Sequence, residues 1–260
     1  MNPTKNIDIL RVKGESIIKE EDILIIEYPF TIFLNDEEII TLLCSPKSLE
    51  ELTLGFLYSE GFIDDISNVE KIQVDELKGT SHVYVKERKS LAEKLQGKRT
   101  ITSGCGKGTL FYNVLDSFKS KKIEKPIDIK IDEIKSLVKE FNRNSELFLS
   151  TGGVHSCALC SKSAILIFEE DIGRHNALDK ILGKALMDNM DLSDKLVLAS
   201  GRISSEMLIK VAKRGIPAII SRAAPTSLSV ELARELNIVI IGFARGEKMN
   251  IYSSFPSFNL

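Results

Sequence analysis

The sequence predicts an α/β protein, α+β over its whole length, in two parts: a β-rich N-terminal α+β domain over 1–124 and a layered α/β domain over 125–260. Three observations carry this. Short apolar runs bounded by turn residues dominate the first half. Strand and helix patterns alternate in the second. Between them runs a charged stretch, 119–126, that ends in proline and reads as a linker. With 260 residues, 43% of them hydrophobic, the chain can bury a core in each part.

The elements follow in order. Residues 23–34 and 38–44 read as strands that flank Asn35-Asp36-Glu37, a hairpin. Ser48-Leu49-Glu50-Glu51 has the form of a capping box, so a helix is expected over 49–60, closed by Gly61. Residues 71–74 and 81–87 are further strands. Beyond the linker, Ile131, Ile134, Leu137, Val138 and Phe141 fall on one face of an amphipathic helix. Residues 164–169 form a strand. Residues 176–190 form a helix with an apolar stripe of Ala177, Leu178, Ile181, Leu182, Ala185 and Leu186. Then come a strand at 195–199, a helix at 203–214 stopped by Gly215-Ile216-Pro217, a strand at 218–221, a helix at 227–236 and a strand at 238–243. This β-α-β-α-β order calls for parallel strands.

Charge and composition exclude some functions. A net charge of −2 argues against bulk electrostatic binding to nucleic acid or membrane. The first residues lack the apolar core of a signal peptide, and no run approaches the ~18 apolar residues that span a bilayer. Four cysteines make no disulfide framework, so a cytoplasmic location is expected.

In layered sheets, ligands gather where strands end and helices begin. Ser200-Gly201-Arg202 follows the 195–199 strand. Arg222 to Ser227 follows the 218–221 strand, with Thr226 as N-cap. Ala244-Arg245-Gly246 follows the last strand. Three arginines and several hydroxyls therefore converge on one edge. They are either solvated loop residues or the holders of a phosphate-bearing, nucleotide-like ligand, which the arginine fork suits. Neither a P-loop nor a dinucleotide-binding glycine motif is present in a strand-to-helix context.

Cys105 lies in Thr100-Ile101-Thr102-Ser103-Gly104-Cys105-Gly106-Lys107-Gly108. Arg99 and Lys107 would favour its thiolate, and the glycines leave room for an approaching sulfur. The alternative is a surface turn that happens to carry a cysteine. His155, Cys157 and Cys160 are metal-ligand types. Read as a helix, the segment puts Cys157 and Cys160 on one face and His155 opposite Cys157, a poor metal site with no second C-x-x-C to complete it. Core packing and a redox dithiol are the other readings of the two cysteines. His155 and His175 stand near glycines at strand–helix junctions, beside Asp171 and Arg174; each is either a junction filler or a site residue.

Longer blocks carry a resemblance. Thr151 to His155, Glu170 to Lys180, Ser200 to Ser204 and Ala224 to Ser227 are similar to the signature blocks of the formate dehydrogenase accessory sulfurtransferase family. Glu27-Tyr28-Pro29-Phe30 through Asn35, Leu54-Gly55-Phe56-Leu57 and Glu60-Gly61 agree with it, so the similarity runs from about residue 20 to 252. It implies a homodimeric sulfur carrier with a three-layer α/β/α, cytidine-deaminase-like C-terminal domain. It further implies that Cys105 takes sulfur as a persulfide from a cysteine desulfurase. The sulfur would pass to the molybdenum or tungsten of bis-molybdopterin guanine dinucleotide, bound for the catalytic subunit of formate dehydrogenase, with no permanent metal. The cofactor-binding set it implies is Thr151, Gly152, His155, Asp171, Arg174, His175, Ser200, Gly201, Arg202, Ser204, Arg222, Pro225, Thr226, Ser227 and Arg245. The chain departs from the family at the loop, where Gly108 stands in place of a second cysteine. Cys105 would work alone, or Cys157 or Cys160 would reach it. Two other functions stand beside this one. Deamination lacks its acid–base group, because the third residue of His155-Ser156-Cys157 is not glutamate. A non-catalytic cofactor-binding chaperone would need the arginines and not Cys105.

Overall fold

The computed structural model describes residues 1–86, 122–124 and 127–253. Strands β1 (Thr4–Lys13) and β2 (Ser16–Ile25) pair as an antiparallel ribbon. The ribbon exposes Leu10, Val12 and Ile17. Its charged and apolar residues mix on both faces, so it lacks the alternation that marks a half-buried strand. The expected 23–34 strand divides: β2 ends at Ile25 and β3 (Tyr28–Leu34) begins afresh. A hairpin joins β3 to β4 (Glu37–Cys44), with Asn35 and Asp36 at φ 48° and 66°. Positive φ at both turn residues is the primed turn that matches strand twist. With β5 (Val69–Asp75) and β6 (Thr80–Val85), these strands form a four-stranded sheet in the order β4-β3-β6-β5.

Helix α1 (Leu49–Glu60) lies on that sheet, burying Leu49, Leu52 and Leu57 against Phe30, Ile32 and Val83. Gly61 closes it in the left-handed region, as expected. The capping box does not form. Ser48 sits at φ 53° and makes no side-chain cap; its hydroxyl donates instead to Glu169 Oε1 at 2.8 Å.

The second sheet has six strands in the order β12-β11-β10-β9-β7-β8. These are β7 (His155–Cys160), β8 (Ile165–Asp171), β9 (Leu196–Ala199), β10 (Ala218–Ser221), β11 (Val239–Arg245) and β12 (Lys248–Ser253). The three middle strands β9, β10 and β11 run parallel, and antiparallel pairs close both sides. One face carries α4 (Arg174–Met187), α5 (Ser205–Lys213) and α6 (Ser227–Leu236), through Leu178, Ile181, Leu208, Val211, Leu232 and Leu236. The other carries α2 (Ile131–Arg143), through Ile134, Leu137, Val138 and Phe141. A short α3 (Glu146–Thr151) leads into β7. The result is three layers, helix on sheet on helix, beside a smaller sheet that α1 joins to α4.

That joint is tight. A Cβ on Gly55 of α1 would fall 1.7 Å from Asp179 O, and one on Gly183 of α4 would fall 1.9 Å from Glu51 O. Only glycine lets the two backbones approach so closely. Among the described residues, no helix is long and apolar enough to cross a membrane.

Candidate functional site

The parallel strands fix where the edge residues go. Ala199, Ser221 and Arg245 end β9, β10 and β11 on the same side of the sheet. Strand β7 runs the opposite way, with Cys157 opposite Ala199, so its first residue, His155, also reaches that side. Asp171, at the end of β8, pairs with His155. Helices α4, α5 and α6 all begin here. Ser204 and Thr226 cap α5 and α6, accepting the N–H of Met207 at 3.4 Å and of Ser229 at 3.3 Å. Gly173 starts α4 without a side-chain cap. Three helix N-termini thus direct partial positive charge to one edge.

Arg174, Gly201 and His155 are brought together at its centre. A Cβ on Gly201 would lie 3.2 Å from Arg174 Cβ and 3.2 Å from His155 Nδ1. The glycine lets the chain pass between these two side chains. Gly201 O is held by Ser221 Oγ, which donates at 2.6 Å. Arg174 Nε is buried and has no hydrogen-bond partner among the described residues. A buried guanidinium nitrogen left unpaired is costly, and an anion would satisfy it. Burial first, and then the Arg174 charge, holds His155 below its ordinary pKa.

Around this centre the expected residues divide by what they touch. Arg202 and Ser227 are exposed. Arg245 Nε donates to Arg222 O at 2.9 Å, tying the ends of β10 and β11 together. Pro225 bridges to Ile203. Ser200 exchanges bonds with Ser156, its hydroxyl accepting from Ser156 N at 2.9 Å. Thr151 Oγ1 donates to Leu147 O at 2.7 Å, and Gly152 ends α3 at φ 64°. His175 Nε2 lies 3.2 Å from Glu206 Oε2 and 3.5 Å from Ser204 Oγ.

Asp171 stands apart from the rest. It is fully buried, so it lies beneath the edge and not on its surface. Its Oδ1 accepts from Gly173 N at 2.9 Å and Asn176 Nδ2 at 2.8 Å. Its Oδ2 accepts from Ser45 N at 2.9 Å, Ser45 Oγ at 3.0 Å and Lys180 Nζ at 2.7 Å. With both oxygens engaged, it supports the turn that presents Arg174. Sequence reasoning missed Ser45, Asn176 and Lys180. The i, i+4 spacing of the last two was a signal, but nothing local tied them to Ser45.

Cys157 and Cys160 follow the core-packing reading, although not on a helix. Residues 155–160 are a strand, not a helix, so Cys157 and Cys160 face opposite sides of the sheet and join different cores. They can form neither a dithiol nor a chelate. Burial raises both thiols, Cys160 to about 12, and raises Cys44 to about 12 as well. All three are at most 1% exposed. No three His, Cys, Asp or Glu side chains converge as a metal site among the described residues. Cys105, the expected carrier, lies outside the described residues, as does most of the expected linker.

Comparison with known proteins adds to this geometry. A sequence profile of the FdhD/NarQ family matches residues 25–257. A protein of Bacillus licheniformis named Sulfur carrier protein FdhD is 43% identical over 252 residues, 97% of this chain and 96% of its own. A Bacillus subtilis protein of the same name is 42% identical, covering 95% and 94%. The crystal structure of a chain described as a formate dehydrogenase accessory protein of Desulfotalea psychrophila superposes with a TM-score of 0.79. That chain is 27% identical, over 98% of this chain and 99% of its own.

Proposed function

Since the chain belongs to the FdhD/NarQ family, we propose that it is a sulfur carrier serving formate dehydrogenase, with Cys105 as the atom-carrying residue. The observation that carries this reading is the near full-length similarity to proteins named as sulfur carriers. The chemistry needs one thiolate. It attacks the outer sulfur of a cysteine desulfurase persulfide; the donor cysteine leaves as thiolate, and Cys105 holds the sulfur as a new persulfide. Arg99 and Lys107 favour the attacking thiolate.

The edge holds the second substrate in this reading, a bis-molybdopterin guanine dinucleotide whose molybdenum or tungsten receives the sulfur. Its phosphates match the donors available there: Arg174 with its unpaired Nε, the exposed Arg202, and the first turns of α4, α5 and α6. Asp171 works from below, holding the Gly173–Arg174 turn through Gly173 N. With Cys44, Cys157 and Cys160 buried and raised in pKa, a single-cysteine carrier is favoured over a relay between two.

Intact-protein mass spectrometry after incubation with a cysteine desulfurase and cysteine tests the proposal. Wild type is expected to gain about one sulfur mass, and Cys105→Ala none. Failure of a folded wild type to gain sulfur would instead indicate a cofactor-binding chaperone. Sulfur retained by Cys105→Ala would move the chemistry to another cysteine.

A further inference from the structure

The face of the smaller sheet turned away from α1 carries a cavity of about 780 Å³. Strand register builds its floor. Phe30, Ile32 and Leu34 take the inward positions of β3, so Phe33 points outward. Phe33 pairs with His82 of β6, and His82 with Gln73 of β5, which sets the three side chains in one row across the sheet. The Phe33 and His82 rings stack, with centroids 4.5 Å apart and an interplanar angle of 3°. The turn between β5 and β6 is the wall, and it is firmly held. Asp75 Oδ1 accepts from Leu77 N at 3.1 Å and Lys78 N at 3.0 Å. The Tyr28 hydroxyl donates to Glu76 O. Gly79 takes φ 67°, where a Cβ would fall 2.6 Å from Pro29 O. This turn holds Leu77 out into solvent, 91% exposed, so its apolar side chain serves no core.

Asp75, Glu76 and Lys78 also line the cavity. Lys78 Nζ lies 3.3 Å from Asp75 Oδ2, and the Met1 amino group 3.4 Å from Glu76 Oε2. Both pairs are exposed, so each is worth little and is open to exchange. An aromatic floor beside carboxylates suits a planar cation. A guanidinium stacks on aromatic faces and forks onto a carboxylate, whereas an ammonium is a point charge. Among the described residues, β5 is the edge of its sheet, with no strand beyond it. An extended chain can add to such an edge and place alternate side chains on the outer face, in the row of Gln73 and His82. We propose that this cavity and the β5 edge form a docking site for an extended, arginine-bearing segment of a partner protein, its guanidinium stacked on the Phe33–His82 pair and paired with Glu76. Leu77 then covers the docked segment from the rim. The site belongs to the smaller sheet, so failure of arginine binding would leave the sulfur-carrier reading untouched.

Amide chemical shifts of the full-length, isotope-labelled protein test this, in a titration with two probes. One is a blocked pentapeptide of threonine and valine with a central arginine; the other is its lysine analogue. The arginine peptide is expected to shift the amides of β5 and of His82 saturably, and the lysine peptide to bind at least fivefold more weakly. Glu76→Gln and His82→Ala should each weaken the arginine peptide at least fivefold. His82→Phe, which keeps the aromatic floor, should bind it within twofold of wild type. Absence of shifts in β5 at millimolar arginine peptide, equal affinity for the two peptides, or a folded His82→Ala that binds like wild type would overturn the site. Should His82→Ala fail to fold, Glu76→Gln and the pair of peptides decide alone.

Discussion

His175 shows how much a single residue's surroundings can change its chemistry. Burial, and then the charges of Lys210 and Arg174, bring its pKa from 6.5 to about 4. The Glu60 carboxylate favours the imidazolium, and these effects outweigh it. The folded value lies below the unfolded one. Between the two, the unfolded chain binds a proton that the folded chain does not, so stability rises with pH there. The contribution is complete above pH 6.5 and is lost as pH falls toward 4, on the order of 2–3 kcal/mol in all. Urea unfolding at pH 7 and pH 4.5 should show this loss in wild type and a smaller one in His175→Gln. An imidazole chemical-shift titration of His175 with a midpoint near 6.5 would refute it. The sequence placed His175, Arg174 and Asp171 together because five successive positions at a strand–helix junction cannot lie far apart. It could not show that Asp171 supports from beneath. Its partner Ser45 is 126 residues away, and burial is a property of the assembled fold.

Among the elements, α1 and α4 depend on each other most. Their backbones meet at Gly55 and Gly183, where a methyl group would overlap carbonyl oxygens at 1.7 and 1.9 Å. Neither backbone can move without separating two packed cores. Gly183→Ala is therefore expected to cost roughly 3 kcal/mol or more, lowering Tm by about 6–12 °C. Scanning calorimetry of the variant measures this, and a drop under 2 °C would mean that the helices part easily. Elements with local determinants were legible. The helix at 49–60 matches α1 because Gly61 ends it, and 227–236 matches α6 because Thr226 caps it. Ser48 misled because Glu169, far away in sequence, takes its hydroxyl. β7 was not recognised because both of its faces are covered, which removes the alternation that marks a strand. The ribbon was missed for the opposite reason: neither of its faces is well covered.

Across the whole molecule, two buried charge clusters cross from the smaller sheet's helix and loop to the larger layered unit. Asp171 and Lys180 enclose Ser45 after β4. Lys210 of α5 meets Asp179 of α4 at 2.6 Å and Glu60 of α1 at 3.4 Å, and Ser59 donates to Asp179 at 2.7 Å. The sequence shows these charges but not their burial, since each group finds its partners on a different element. A buried carboxylate that loses its cation is left uncompensated, which typically costs ~3–5 kcal/mol. Burial already raises the pKa of Asp179, the direction that disfavours its charged form. Lys210→Met should therefore destabilise by about that amount. Because the cluster links α1 to α4 and α5, the loss should reach both sheets together. Far-ultraviolet dichroism, which reports all helices, and near-ultraviolet dichroism, which includes Tyr28, Tyr58 and Tyr84 of the first half, should shift by the same amount in one transition. A variant whose tyrosine signal kept its wild-type midpoint while the helical signal moved would show that the two sheets unfold separately. The buried clusters would then stabilise the layered unit alone.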